Sequence, residues 1–240
     1  MLVESLYYPG VLPFLSQTAR LYNIQVMSKW TKSEIEDFIN SFDWYQLFNI
    51  PPFENINGRF GYLDRETLNP ALLPRNLKGK TFLEIGCNTG KYCLEAKLRG
   101  AAKVVGIDNN KNCIERAQKI AQITNIGNIE YIYMDANMAS TLGKFDYTAM
   151  FSVIHLKSVK TPLLLLQEAY KATNEVFITE IYTRFFWRSM YKFGLKIFIK
   201  HPYPTTQSMI SILKEEIGFK KVEYAGKNKN DRDLFICFKK

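Results

Sequence analysis

Leu83-Glu84-Ile85-Gly86-Cys87-Asn88-Thr89-Gly90 is the stretch that decides the fold. A short apolar run carrying one acid leads into a turn with glycine at both ends, and a helical pattern starts at Lys91. Strand, tight turn and helix in that order build a nucleotide-binding crevice, because ligands lie beyond the carboxyl ends of parallel strands. Gly86 and Gly90 would let the backbone approach a ligand closely. Asn88 stands where glycine is commoner and tolerates positive φ better than most residues, and Cys87 completes the turn.

Spacing separates the ligands such a turn could hold. Gly90-Lys91-Tyr92 resembles the end of a P-loop, but three residues instead of four separate Gly86 from Gly90, and Tyr92 replaces the Mg²⁺-binding Ser or Thr. A dinucleotide would set its pyrophosphate beside the Glu84 carboxylate, which opposes it. S-adenosylmethionine carries an ammonium and a sulfonium, which the acid favours.

Working outward, short β-branched or apolar runs alternate with helical patterns from Thr81 onward, the βαβα order of a parallel sheet covered on both faces. Strands are predicted at 81–85, 103–107, 130–134, 147–153 and 175–179, and helices at 91–98, 111–121, 162–172 and 206–217, the last closed by Gly218. Two final strands, 220–224 and 233–238, flank the polar turn GKNKNDR and can pair as an antiparallel hairpin. Asp108 closes the second strand 22 positions after Gly86, where a carboxylate can accept both hydroxyls of an adenosine ribose, with Asn109 beside it. Asp135 ends the third strand and can accept from the adenine amine, with Ala136 and Asn137 adding polar contacts. Each acid alone could equally cap a helix or sit solvated at a strand end. Three acids at three successive strand ends around one glycine turn point to a single ligand.

The run EIGCNTGKYCLEAKLRGAAKVVGID resembles motif I and the following acidic strand end of class I S-adenosylmethionine-dependent methyltransferases. Trp44-Tyr45, Gly61-Tyr62, LKGK at 77–80, RGAAKVVGID and FSVIHL at 151–156 are similar to the tRNA wobble-uridine (5-oxyacetate/methoxy) methyltransferase-like family, whose Tyr-His pair here reads Ile154-His155. The resemblance implies an α/β, Rossmann-like, seven-stranded sheet with a reversed terminal hairpin, S-adenosylmethionine as cofactor, Phe151 beside it, and a methyl acceptor through O or N. Residues 81–240 would form this domain, with a basic and aromatic insertion at 181–204. Residues 1–80 read as an N-terminal helical and loop appendage leaning on the sheet, with a helix at 31–42. Its aromatic residues Phe42, Trp44, Tyr45, Phe48, Phe53, Phe60 and Tyr62 read as packing before a substrate wall.

His155, just past the fourth strand and with an ordinary pKa near neutrality, is the candidate general base. The competing reading is a satisfied helix-start or core histidine. His201 precedes Pro202 after a basic segment and suits a surface loop. Arg184, Arg188, Lys192, Lys196 and Lys200 recur every four residues, and no acid occurs between Glu180 and Glu215. On a helix they make one slanting stripe, with Gly194 allowing a bend. Three uses compete: a solvated face of a substrate-covering helix, an RNA-phosphate surface, or peripheral contact with anionic membrane through 182–200.

The formal charge of +9 favours an anionic partner without choosing among them, and DNA is not expected. A hydrophobic content of 47% with 23% charged residues suits one globular core. Four cysteines without Cys-x-x-Cys spacing indicate neither a metal site nor a disulfide framework and fit a reducing cytoplasm. No apolar run reaches membrane-spanning length, and Glu4 with Pro9, Gly10 and Pro13 is unlike a secretory signal. Without a recognisable RNA-binding module, a small or amphiphilic acceptor ranks ahead of tRNA, and both ahead of a non-catalytic RNA- or membrane-binding role.

Overall fold

A computed structural model describes residues 30–46, 48, 50–53, 73–154, 159, 161–181, 205–228 and 232–240. Their seven strands form one sheet in the order β3-β2-β1-β4-β5-β7-β6. The parallel part contains β1 (Thr81–Ile85), β2 (Lys103–Asp108), β3 (Ile129–Tyr133), β4 (Phe145–Phe151) and β5 (Thr173–Ile181). β6 (Lys221–Lys227) and β7 (Asp233–Phe238) close it antiparallel, with β7 inserted beside β5. The reversed hairpin expected from the polar turn is therefore present.

Side-chain alternation along β1 divides the two faces. Leu83 and Ile85 enter a core with Leu165, Leu166, Met209 and Leu213, while Phe82 joins Cys93, Ala96, Ile114 and Ala117 on the opposite side. Helices α2 (Lys91–Leu98) and α3 (Lys111–Ile123) cover that second face, and α4 (Pro162–Ala172) and α5 (Thr206–Ser211) the first. α5 continues as a π-helical turn over Ile212–Glu216, so the expected single helix changes its hydrogen bonding partway, and Gly218 leaves it at φ +100°. β4 stops at Phe151 instead of 153, because Ser152 turns the backbone to φ +60°.

Helix α1 (Lys32–Asn40) begins in a capping box: Glu34 N–H donates to Thr31 Oγ1 at 3.2 Å, and Thr31 N–H to Glu34 Oε2 at 2.7 Å. It buries Ile35 and Phe38 with Trp44, Phe48 and Phe53 against Leu94 of α2 and Ile120 and Ile123 of α3. Helix α1 thus rests on the helical layer, while Leu73 and Leu77 of the same N-terminal segment pack with Phe82, Val104 and Ala149 of the sheet. Enclosed between sheet and α1, α2 is buried nearly all round, which explains its lack of a polar face. Phe60, Tyr62 and most of the loop at 49–69 lie outside the described residues.

Candidate active site

The first turn is fastened to the second strand. Gly86 N–H and Cys87 N–H both donate to the Ile107 carbonyl, at 2.8 and 2.9 Å. Gly86, Asn88 and Gly90 adopt φ of +76°, +50° and +84°, so asparagine does take the left-handed position its side chain tolerates. The glycines answer to crowding from the protein itself. A Cβ on Gly86 would lie 2.3 Å from Val153 Cγ2, and one on Gly90 2.4 Å from the Tyr131 hydroxyl. Gly86→Ala should therefore cost about 2–4 kcal/mol and lower the melting temperature by roughly 5–12 °C. Calorimetric melting of the variant checks this, and a change under about 2 °C would contradict the packing described.

A cavity of about 360 Å³ opens across the carboxyl tips of the strands. Glu84, Gly86, Asn88, Asp108, Asn109, Asp135, Ala136 and Phe151 all line it. Cys87 and Gly90 do not: Cys87 is fully buried with its sulfur toward Gly106, and Gly90 serves as the N-cap of α2 under Tyr131. His155, Arg184, Arg188 and Lys192 lie outside the described residues, as does His201.

Each acid has a distinct environment. Asp108 accepts from Asn88 N–H at 2.8 Å and Asn110 N–H at 2.9 Å, so it ties the glycine turn to the start of α3. Burial raises its pKa, against the lowering effect of those amides. Asp135 accepts from Asn137 N–H at 2.8 Å and so also caps the 3-10 helix Ala136–Leu142. Glu84 is 1% exposed and accepts from Cys93 N–H at 3.0 Å and Cys93 Sγ at 3.1 Å. Burial pushes its carboxyl up to about 8, so it is mostly protonated at neutral pH. Burial likewise raises the Cys93 and Cys237 thiols, and Cys113 to about 11, which removes them as thiolate nucleophiles near pH 7.

The cavity also has walls that the sequence reading missed. Gln46 accepts from the Thr89 hydroxyl at 2.9 Å and Lys91 N–H at 3.4 Å, bracing the turn from the N-terminal segment. Tyr45 lines the cavity with it, whereas its neighbours Trp44 and Phe48 pack inside. Tyr92 faces Phe151 with ring centroids 4.5 Å apart, and both border the cavity. Beyond them lie Ser152, Glu180 and Arg232, at the tips of β4, β5 and β7. Strand-end position, the signal that singled out Asp108, would have found Ser152 and Glu180. Nothing local marks Arg232.

This geometry suits a sulfonium nucleoside: acids at the tips of β1, β2 and β3 open into one cavity beside a turn held by backbone bonds. Residues 76–192 match the family model of a methyltransferase domain. Over these residues, just under half of its length, the chain carries a methyltransferase domain. It is 35% identical over 75 residues to a ribosomal protein L11 methyltransferase of Phocaeicola vulgatus (31% of this chain, 27% of that protein). It is 39% identical over 56 residues to a ubiquinone biosynthesis O-methyltransferase of Neisseria meningitidis (23% and 24%). The aligned regions span less than half the length of the curated relatives it matches. The N-terminal domain of EvdMO1, crystallised in the presence of S-adenosylhomocysteine and D-fucose, shares the fold with a TM-score of 0.63 at 17% identity, over 87% of this chain and 97% of that one. Among the described residues no helix is long and apolar enough to cross a membrane.

Proposed function

We propose that the chain transfers a methyl group from S-adenosylmethionine to an O or N acceptor that is a small or amphiphilic molecule. The observation that carries this reading is the continuity of the cavity, which extends from the acids at the tips of β1–β3 to a separate polar wall at β4, β5 and β7. When bound, S-adenosylmethionine supplies an electrophilic methyl group on a cationic sulfur. The chain's own contribution is to hold, orient and desolvate.

In this reading Asp108 accepts from the ribose hydroxyls, Asp135 from the adenine amine, and Glu84 balances the ligand's positive charge. Asn88, Asn109, Ala136 and Phe151 complete the binding wall, while Cys87 and Gly90 support it from behind. His155, four residues past the end of β4, takes the proton the acceptor loses. Arg184, Arg188 and Lys192 attract or cover the acceptor. The relative in ubiquinone biosynthesis is named an O-methyltransferase, which agrees with an O acceptor.

Incubating the purified protein with methyl-labelled S-adenosylmethionine and a cell extract tests the reading. Label is expected in the small-molecule or lipid-soluble fraction. Label in RNA would replace it with a tRNA-modifying role, and absence of label from every fraction would remove the catalytic one.

A further inference from the structure

On the β4, β5 and β7 side of the cavity lies a buried polar cluster that the proposed cofactor contacts do not use. Arg232 pairs with Glu180 at 2.5 Å, their side chains 9% and 1% exposed. The Ser152 hydroxyl donates to Glu180 Oε1 and accepts from Arg232, while Asn228 Nδ2 donates to Glu180 Oε2 at 2.7 Å. The turn carrying the arginine is closed from both sides: Asn228 N–H donates to the Arg232 carbonyl at 3.0 Å, and Arg232 N–H to Asn228 Oδ1 at 3.1 Å.

Three separate strand tips thus converge on one buried ion pair that forms part of a cavity wall. Ser152 is held there at φ +60°, a costly conformation for a non-glycine residue outside a simple turn. A buried pair contributes little to stability compared with apolar side chains of the same volume, so its place in the wall asks for a reason beyond folding.

We propose that Ser152, Glu180 and Arg232 form the acceptor subsite, and that it selects a neutral, hydroxyl-bearing group on a planar body. This rests on the methyl-transfer reading above. Glu180 and Arg232 already offset each other's charge. A carboxylate or ammonium entering would have to compete with one of them for its partner. A neutral hydroxyl both donates and accepts, so it can join the cluster without separating the pair. Tyr92 and Phe151 supply aromatic surface along the adjoining wall, which favours a flat ligand. Asn228 and the closed turn act as positioning elements for Arg232 and Glu180.

Catechol, benzoate and benzylamine, matched in size and differing in charge, distinguish the alternatives when titrated by ligand-observed NMR into protein saturated with S-adenosylhomocysteine. Catechol is expected to bind at least tenfold tighter than the two charged probes. Ser152→Ala and Glu180→Gln are each expected to weaken it tenfold or more while leaving S-adenosylhomocysteine affinity within twofold. Equal or tighter binding of benzoate or benzylamine, no binding of catechol at millimolar concentration, or unchanged catechol binding in Ser152→Ala would overturn the proposal. Should Glu180→Gln not fold, Ser152→Ala carries the test, since it removes one hydroxyl and no charge. Failure of the wild type to take up S-adenosylhomocysteine would instead count against the cofactor reading, and the catechol comparison is then read on the ligand-free protein.

Discussion

Asp108→Ala should bind S-adenosylmethionine and S-adenosylhomocysteine at least a hundredfold more weakly than the wild type. A carboxylate accepting two ribose hydroxyls makes two charge-assisted hydrogen bonds, each contributing about 1.5–3 kcal/mol, so losing both removes about two orders of magnitude or more. A second cost adds to this, because the same carboxylate accepts from Asn88 and Asn110 N–H and holds the turn against α3. Asp108→Asn separates the two contributions. Its amide oxygen can still accept from one backbone N–H, so the fold should melt closer to wild type than Asp108→Ala while affinity stays low. Calorimetric titration with S-adenosylhomocysteine, alongside thermal melts of both variants, checks this. Retention of affinity within threefold in Asp108→Ala would remove Asp108 from the ligand site.

Glu84→Gln should change how both stability and donor affinity depend on pH. The Glu84 carboxyl goes from an ordinary 4.5 to about 8 in the folded chain, chiefly through burial. The folded state therefore holds this proton more tightly than the unfolded state. Stability from this group is fully present below pH 4.5 and declines as pH rises toward 8. The total is on the order of 5 kcal/mol, following from about 1.4 kcal/mol for each pKa unit. The amide introduced by Glu84→Gln cannot ionise, and its oxygen can still accept from Cys93 N–H. Between about pH 5.5 and 8.0 the wild type should lose roughly 10 °C of melting temperature relative to the variant.

Donor binding should run the opposite way. A cation in the cavity favours ionised Glu84, so wild-type affinity for S-adenosylmethionine rises as pH approaches 8, with a proton released on binding. The variant should bind at least tenfold more weakly at that pH. Melting curves of the two proteins that stay parallel across this range would show that Glu84 does not titrate as described.

The parts of the fold legible in the sequence were those decided by local periodicity. Thr81–Ile85, Lys91–Leu98, Pro162–Ala172 and Asp233–Phe238 have the limits their patterns predict, because apolar alternation, a glycine turn or a helix-start proline marks each end. Boundaries moved where long-range contacts decide them. β5 extends beyond both ends of its apolar pattern because β4 and β7 pair along it, from Thr173 to Ile181. The π-helical turn after Ser211 has no marker in its sequence.

The candidate site divides in the same way. Glu84, Gly86, Asn88, Asp108 and Asp135 could be read directly, because parallel strands deliver their carboxyl ends to one edge of the sheet and spacing alone identifies those ends. Cys87 belongs to the same motif but its side chain is buried toward Gly106, a direction that the motif does not encode, and Gly90 serves as the N-cap of α2 outside the cavity lining. Gln46 and Arg232 were invisible for another reason. Gln46 reaches the glycine turn 43 residues ahead in the chain, and Arg232 reaches Ser152 from 80 residues beyond it. The sequence by itself determined a parallel sheet whose first half carries the candidate donor-site residues, since that half is built from consecutive strand-turn-helix units. Only the tertiary structure decided what lines the other side of the cavity, because the antiparallel return of β7 beside β5 brings a buried arginine to the tips of strands far removed from it in sequence.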